Sequence, residues 1–339
     1  MGPDWHTPYF HHTPGTTSFI EMMRGATKVM RQCAAVKPGE KVVIATDPNK
    51  IRIAEVLAAA AVGEGAVPII VMILPTGAHG VQPPSPLVAA LKESNVYILA
   101  TTYNLQHTEA RIQALAAGSR GTTMPQVTED LLITGGILAD YEECDRVGRR
   151  IGRLLEKTES VRIRTDRGTD VRGQVKGRRV VYETGLFREP GQYAALPDSE
   201  INISPIEGTA EGTIVVDVRL GPVGVLEEPV TVQLEDGEVR SVHAGRQAQA
   251  FWDLLEVWKD RTAFNVAEFA MGLNPSARLY ASFLEDEGRL GNGHIGIGSS
   301  YAIGGRVKAP LHVDVIFKDA VIEFDGRVVY DRGHIDVDH

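Results

Sequence analysis

The sequence predicts an α/β protein of two parts: a Rossmann-like parallel-sheet domain over residues 1–157, then a mainly antiparallel α+β domain over residues 158–339. Three observations predict it. Apolar runs alternate with amphipathic or Ala-rich stretches up to about residue 155, the pattern of βαβ units. From Val161 the texture changes to short β-rich segments punctuated by Gly and Asp. The chain also has 339 residues, beyond the size at which one hydrophobic core usually keeps growing.

In order, an amphipathic stretch from Phe19 to Ala35 precedes the apolar run Lys41–Asp47, KVVIATD. An Ala-rich helix from Ile51 leads to PIIVMIL, a helix near Leu87 and VYILATT. These three strands are nearly continuous apolar runs, as expected where helices cover both faces of a sheet. In such sheets the loops after the strands bind ligands, which draws attention to His107, just after the third strand. A polar residue opening a helix capped by Thr108 would look the same.

The second part reads as strands in VRIRTDRG, GRRVVYET, GTIVVDVR and PVTVQLEDGEV, whose alternation and turn residues suit antiparallel pairing. One helix is expected over roughly Arg246–Asp260 and another from near Asn265, and the domain boundary near Glu156–Ser160.

Composition excludes several classes. Residues 1–150 carry 13 basic and 14 acidic side chains and the remainder 22 and 30, so most of the net charge of -9 lies in the second part. An acidic chain without a basic stripe is a poor partner for phosphate backbones, so no nucleic-acid partner is expected. The two cysteines, Cys33 and Cys144, form neither a disulfide framework nor a thiolate zinc site, and they fit a reducing cytoplasm. The start of the chain does not read as a secretion signal, and the longest apolar run, Ala66–Leu74, is too short to span a bilayer.

The strongest local signal for chemistry is His312-Val-Asp314. Alternate residues on a strand point the same way, so one strand offers an imidazole and a carboxylate side by side. Alone, such a pair is often a solvent-facing decoration, but its surroundings argue otherwise. Glu287, His294 and Tyr301 lie in the Gly-rich EDEGRLGNGHIGIGSSY, and Glu268 stands among small and apolar residues, where an unpaired charge is costly. Glu268, Glu287, His294, His312 and Asp314 make an oxygen and nitrogen set suited to zinc, cobalt, manganese or iron(II). Two metals sharing a carboxylate would activate water, with Tyr301 donating to a developing oxyanion. Gly291-x-Gly293-x-x-Gly296 spells a dinucleotide fingerprint but opens no βαβ unit and contains His294, so no nucleotide cofactor is expected.

At these residues the sequence resembles the aminopeptidase T (M29) metallopeptidases and the related 2,5-dihydroxypyridine dioxygenases. The resemblance runs through Leu196–Asp217, AEFAMGLNP, HIGIGSSY and HVDVIF, in that order. The M29 pattern of Glu, Glu, His and His-x-Asp, with a Tyr seven residues after the first His, maps onto Glu268, His294, Tyr301, His312 and Asp314. Asn292 stands where the second Glu belongs, and Glu287 is taken as its substitute. The first part, with LQHTEA and GSRGTTMPQVTEDLL, is similar to the dioxygenases, in which the counterpart of His107 acts on substrate and His with His-x-Asp holds one iron(II). Glu268 occupies the first of those positions.

Retention of Glu268, His294 and Tyr301 points first to a metal-dependent hydrolase of peptide or related amide bonds, with Glu287 as general base. The alternative is an iron(II) ring-cleaving dioxygenase acting on a hydroxylated pyridine-type heterocycle, its metal held by His294 or Glu268 with His312 and Asp314. Expected partners are a small molecule or short peptide and, from the resemblance, a second copy in a homodimer, with no membrane.

Overall fold

The structure, a computed structural model, describes residues 19–106 and 108–337. The chain divides into two compact units, one ending at Leu138 and including Arg188–Gln192, the other comprising Ala139–Phe187 and everything from Tyr193.

In the first unit α1 (Phe19–Lys28) precedes β1 (Lys41–Thr46), α2 (Ile51–Gly63), β2 (Val67–Met72), α3 (Ser85–Lys92), β3 (Val96–Ala100), α4 (Glu109–Ala116), β4 (Arg120–Thr123) and α5 (Glu129–Ile133). The strands pair in parallel in the order β2-β1-β3-β4. β1 and β3 are buried as their apolar runs predict. β2 departs from expectation: it is an edge strand, with Val67, Ile69, Ile70 and Met72 exposed. β4 has no apolar run to announce it; Gly121 is required there because a Cβ would lie 2.3 Å from the Tyr97 ring.

The second unit begins with α6 (Tyr141–Leu155), so it starts after Leu138 and not after residue 157 as the change of texture suggested. Packing explains the correction. Ile151 and Leu155 join the second unit's core, and Gly148 and Gly152 bring the helix against Ile201 and Tyr182, where a Cβ would be 3.0 and 2.3 Å away.

The strands that follow are β5 (Ser160–Arg164), β6 (Asp170–Gln174), β7 (Val180–Glu183), β8 (Tyr193–Ala195), β9 (Glu200–Ile203), β10 (Glu211–Val216), β11 (Arg219–Leu220), β12 (Gly224–Val225), β13 (Val230–Glu235) and β14 (Glu238–His243). Beyond α7 (Ala248–Glu256) come β15 (Val266–Gly272), α8 (Phe283–Gly288), β16 (Gly293–Gly298), β17 (His312–Phe317), β18 (Val321–Phe324), β19 (Arg327–Asp331) and β20 (His334–Ile335). All of these strands except β8 form two antiparallel sheets, β14-β13-β10-β6-β5-β18-β19-β20 and β12-β11-β17-β16-β15-β9-β7. A shared core joins the sheets: Val171, Ile214 and Val232 of one meet Ile203, Phe269, Ile295 and Val315 of the other, and Gly173 lets the Phe269 ring approach.

The helix expected from near Asn265 is instead β15, buried along its whole length. Strands β9 and β16 flank it and satisfy its backbone, and a bulge at Ala267 sets Glu268 opposite Gly296. Among the described residues no helix is long and apolar enough to cross a membrane.

Candidate metal centre

The face of the seven-stranded sheet turned away from the shared core collects the site. Antiparallel register places Glu268 of β15, Gly296 of β16 and Asp314 of β17 in one row, and His312 opposite Gly298. Residues directly opposite share a face, as do residues two apart on a strand. His294 therefore faces the same way, and so do Asn202 and Glu200 of β9, reached through Ala270 and Gly272.

Gly296 makes the convergence possible: a Cβ there would lie 2.7 Å from Glu268 Cβ and 2.8 Å from His312 Cε1. In that space His312 Nε2 lies 2.9 Å from Glu268 Oε2 and 3.2 Å from Asp314 Oδ1. The other ring nitrogen, Nδ1, is 2.8 Å from the Ser299 carbonyl. A carbonyl only accepts, so Nδ1 carries the proton and Nε2 is aimed at the carboxylates, the orientation a metal-binding histidine takes.

Three triads bring one ligand atom per residue within 4.8 Å of one another: Glu268–His312–Asp314, Glu287–His294–Asp314 and Glu200–Glu268–His294. Thus Asp314 and Glu268 are each shared by two triads. Glu287 arrives on α8, whose position is fixed by Asn292: its Nδ2 donates to the Asp286 carbonyl at 2.7 Å, and its Oδ1 accepts from Arg289 at 3.1 Å. The residue standing in place of the second Glu is therefore a staple for the helix that delivers Glu287.

The electrostatics are those of a crowded anionic site. Burial, then neighbouring carboxylates, push Glu287, Glu200 and Asp198 well above the usual carboxylate range. Burial opposes charge on His312, but Asp314 and Glu268 override it and hold the imidazolium well above the ordinary histidine value. Burial likewise raises Asp314, and His312 outweighs it, leaving that carboxyl below its ordinary value. His294 Nδ1 is buried without a hydrogen-bond partner, and Asp314 Oδ1 and Glu200 Oε2 have only an imidazole nitrogen beside them, at 3.2 and 3.4 Å. A buried group left unpaired costs about 1–3 kcal/mol, a penalty a bound cation removes. Imidazole nitrogen with carboxylate oxygen is a donor set that iron(II), zinc, manganese or cobalt accepts, so the residues fit a divalent metal.

Sequence reasoning thus named five residues that the fold brings together: Glu268, Glu287, His294, His312 and Asp314. Of the two candidates to complete a triad with His312 and Asp314, it is Glu268 and not His294 that shares one with them. Tyr301 is placed differently. It is 59% exposed on a short 3-10 turn, with the Lys308 amine 4.2 Å from its ring centroid, and no described contact links it to the cluster. His107 lies outside the described residues. Glu200, Asp198 and Glu183 were missed. Their signal was two carboxylates in the otherwise small and apolar LPDSEINIS, and a Glu ending a β run at GRRVVYET.

Fold and site together define an enzyme of the class that builds a carboxylate and histidine metal centre on an antiparallel sheet, in a chain that also carries a parallel-sheet domain. The chain belongs to the NicX family, 2,5-dihydroxypyridine 5,6-dioxygenase, whose model matches residues 21–337. A curated 2,5-dihydroxypyridine 5,6-dioxygenase of Pseudomonas putida KT2440 is 26% identical over 253 residues, 70% of each chain. Among solved structures, 2,5-dihydroxypyridine dioxygenase from Pseudomonas putida KT2440 aligns with a TM-score of 0.80 at 21% identity, covering 95% of this chain and 99% of that one. AmpT from Thermus thermophilus aligns with a TM-score of 0.70 at 16% identity, covering 93% and 99%. The two structural likenesses bear on fold. The family match and the curated relative favour the ring-cleaving alternative over the hydrolysis that the sequence put first.

Proposed function

We propose that the chain is an iron(II)-dependent oxygenase that opens a hydroxylated, nitrogen-containing aromatic ring. The observation that carries this reading is the convergence of Glu268, His312 and Asp314 on one sheet face, in a chain that matches the ring-cleaving family over residues 21–337. Glu268, His312 and Asp314 would hold the metal, which supplies a redox-active centre with positions open to substrate and dioxygen. The chain's own residues do the rest. Ser299 orients His312 through its carbonyl, and Gly296 leaves the space in which Glu268 and His312 meet. His107 serves as the acid–base group that takes the hydroxyl proton of the ring. Both atoms of dioxygen enter the opened product, so the ring supplies the electrons and no external reductant is consumed.

Metal-free protein loaded anaerobically with iron(II) and given 2,5-dihydroxypyridine is expected to take up one dioxygen per ring lost, followed as decay of ring absorbance. Equal turnover with zinc, or ring loss without oxygen uptake, would overturn the proposal. A second reading, two-metal amide hydrolysis, is favoured by one observation: Glu287, His294 and Asp314 form a triad sharing Asp314 with the first. It predicts cleavage of aminoacyl anilides by the zinc- or cobalt-loaded protein. The exposed position of Tyr301 counts against it, because no buried hydroxyl is then offered to an oxyanion.

A further inference from the structure

We propose that Asn265 is a positioning residue of the metal centre: its amide clamps the peptide between Gly298 and Ser299, and so aims the Ser299 carbonyl that orients His312. The proposal rests on the reading of His312 as a metal ligand and holds whichever reaction the centre performs.

Asn265 is buried and immediately precedes β15. Val266 lies opposite Ile297, and the same register carried one residue back brings Asn265 to Gly298, the last residue of β16. In an ordinary hydrogen-bonded antiparallel pair two such residues exchange both backbone bonds. Here the backbone makes one of them: Gly298 N donates to the Asn265 carbonyl at 2.7 Å. The Asn265 N–H is committed to the Thr262 carbonyl at 3.2 Å, closing a short 3-10 turn. The side chain therefore replaces the missing bond, with Asn265 Nδ2 donating to the Gly298 carbonyl at 2.8 Å in a buried setting.

Gly298 makes the clamp necessary. Its φ is +110°, and a Cβ would lie 2.3 Å from the Leu311 carbonyl oxygen, so glycine is required there. Glycine is also the residue whose backbone rotates most freely, and it stands directly before the residue whose carbonyl holds His312. Two bonds remove that freedom. Asn265 grips the Gly298 carbonyl from one side of the peptide, and on the other Ser299 N donates to the Leu311 carbonyl at 2.8 Å. With the peptide fixed, the Ser299 carbonyl meets His312 Nδ1 at 2.8 Å and leaves Nε2 to the carboxylates. Asn265 thus ties β15, the strand of Glu268, to the orientation of His312, whose Nε2 lies 2.9 Å from Glu268 Oε2. Outer partners that fix the ring of a ligating histidine govern metal affinity along with the ligands themselves.

Chelator-stripped, full-length protein titrated with zinc against a competing fluorescent chelator tests this. Asn265→Ala and Asn265→Leu are each expected to bind zinc at least about tenfold more weakly than wild type, the lower bound for losing an outer partner of a histidine ligand. Leucine keeps the shape of the amide, so Asn265→Leu carries the test if Asn265→Ala does not fold. Thr169→Val is the control: Thr169 is buried, and its Oγ1 accepts from Val215 N at 2.9 Å in the other sheet. That variant loses a comparable side-chain bond to backbone, so its melting temperature should fall while its zinc affinity stays that of wild type. Ring-labelled histidine gives a second readout in the zinc-loaded protein. The His312 Nδ1–H proton should be downfield and slow to exchange in wild type, and should move upfield and exchange faster in the Asn265 variants. Wild-type zinc affinity in either folded Asn265 variant, equal loss in Thr169→Val, or an unmoved His312 proton overturns the proposal. Unchanged zinc affinity in His312→Ala removes the ligand reading and the proposal with it. The expected zinc results without oxygen uptake by iron-loaded wild type support the clamp and count against the oxygenase reading alone.

Discussion

Gly296→Ala changes no ligand, yet it is expected to disable the metal centre. The added methyl would sit 2.7 Å from Glu268 Cβ, 2.8 Å from His312 Cε1 and 3.0 Å from Glu268 Oε2. Carbon atoms settle at about 3.5–4.0 Å, so Glu268 and His312 must retreat by about 0.7–1.3 Å. Neither can retreat cheaply, because Gly296 is held between Glu268 and Asp314 in the row across β15, β16 and β17. Overpacking of this kind costs about 1–3 kcal/mol in the metal-free fold. Spreading the triad should also weaken metal binding about 10–100-fold, and a 1 Å misplacement can lower turnover about 100-fold. Gly293→Ala is the control. Its methyl would lie on the opposite face, 2.9 Å from the Phe317 ring, and would strain the core without touching a ligand. Isothermal titration with metal and thermal melting of both variants separate the effects: comparable loss of melting temperature, but loss of metal affinity only in Gly296→Ala. Wild-type metal affinity in Gly296→Ala, or equal loss in the two, would refute the reasoning.

Three further outcomes are expected. Melting temperature of the metal-free protein should fall as pH rises above about 5. Asp198, Glu200 and Glu287 keep protons in the fold that unfolded carboxyls, with ordinary values of 3.8 and 4.5, have already released, so the native state binds more protons and stability declines with pH. His312 adds stability that is full below its ordinary 6.5 and is lost as pH rises through its higher folded value. Asp314 has the opposite sign: its contribution is present above 3.8 and disappears only on acidification through its lowered folded value. Saturating metal displaces the protons and should reverse the slope; a flat or rising metal-free profile contradicts this account. In Arg219→Ala the buried Asp286, which Arg219 Nε contacts at 2.8 Å, loses its cation, and urea denaturation should show a loss of about 3–5 kcal/mol. Adding Asp286→Asn should restore part of that loss, and a wild-type denaturation midpoint in the single variant would argue against the pairing. Tyr301→Phe should leave steady-state ring opening within about twofold, the expectation for an exposed hydroxyl outside the transition state; a loss of a hundredfold or more would return Tyr301 to the chemistry.

What the sequence disclosed depended on how local the physics was. Strands β1 and β3 are apolar runs because both their faces are covered, and β17 presents His312 and Asp314 together because strand periodicity is two. Both patterns are readable within a few residues. The edge position of β2 was hidden, since PIIVMIL is as apolar as its neighbours and only the strand order exposes it. β15 was mistaken for a helix because burial at every position removes both the period of two and that of 3.6. The second unit's start was hidden because α6 resembles the helices before it, and only its packing on β7 and β9 assigns it.

The same distinction runs through the site. Glu268 and Asp314 are separated by dozens of residues and meet only because β16 lies between them with a glycine in the shared row. Glu183 and Glu200 face one another through the β7–β9 register, which no local pattern encodes, and so the acidic neighbours of the centre escaped notice while its histidines did not. Histidine and glycine announce themselves by type and spacing; a carboxylate becomes unusual only when the fold buries it beside others without a cation. Burial of Asp198, Glu200 and Glu287 together is therefore the part of the site that most needed the structure, and it is what pushes these carboxyls toward their protonated form.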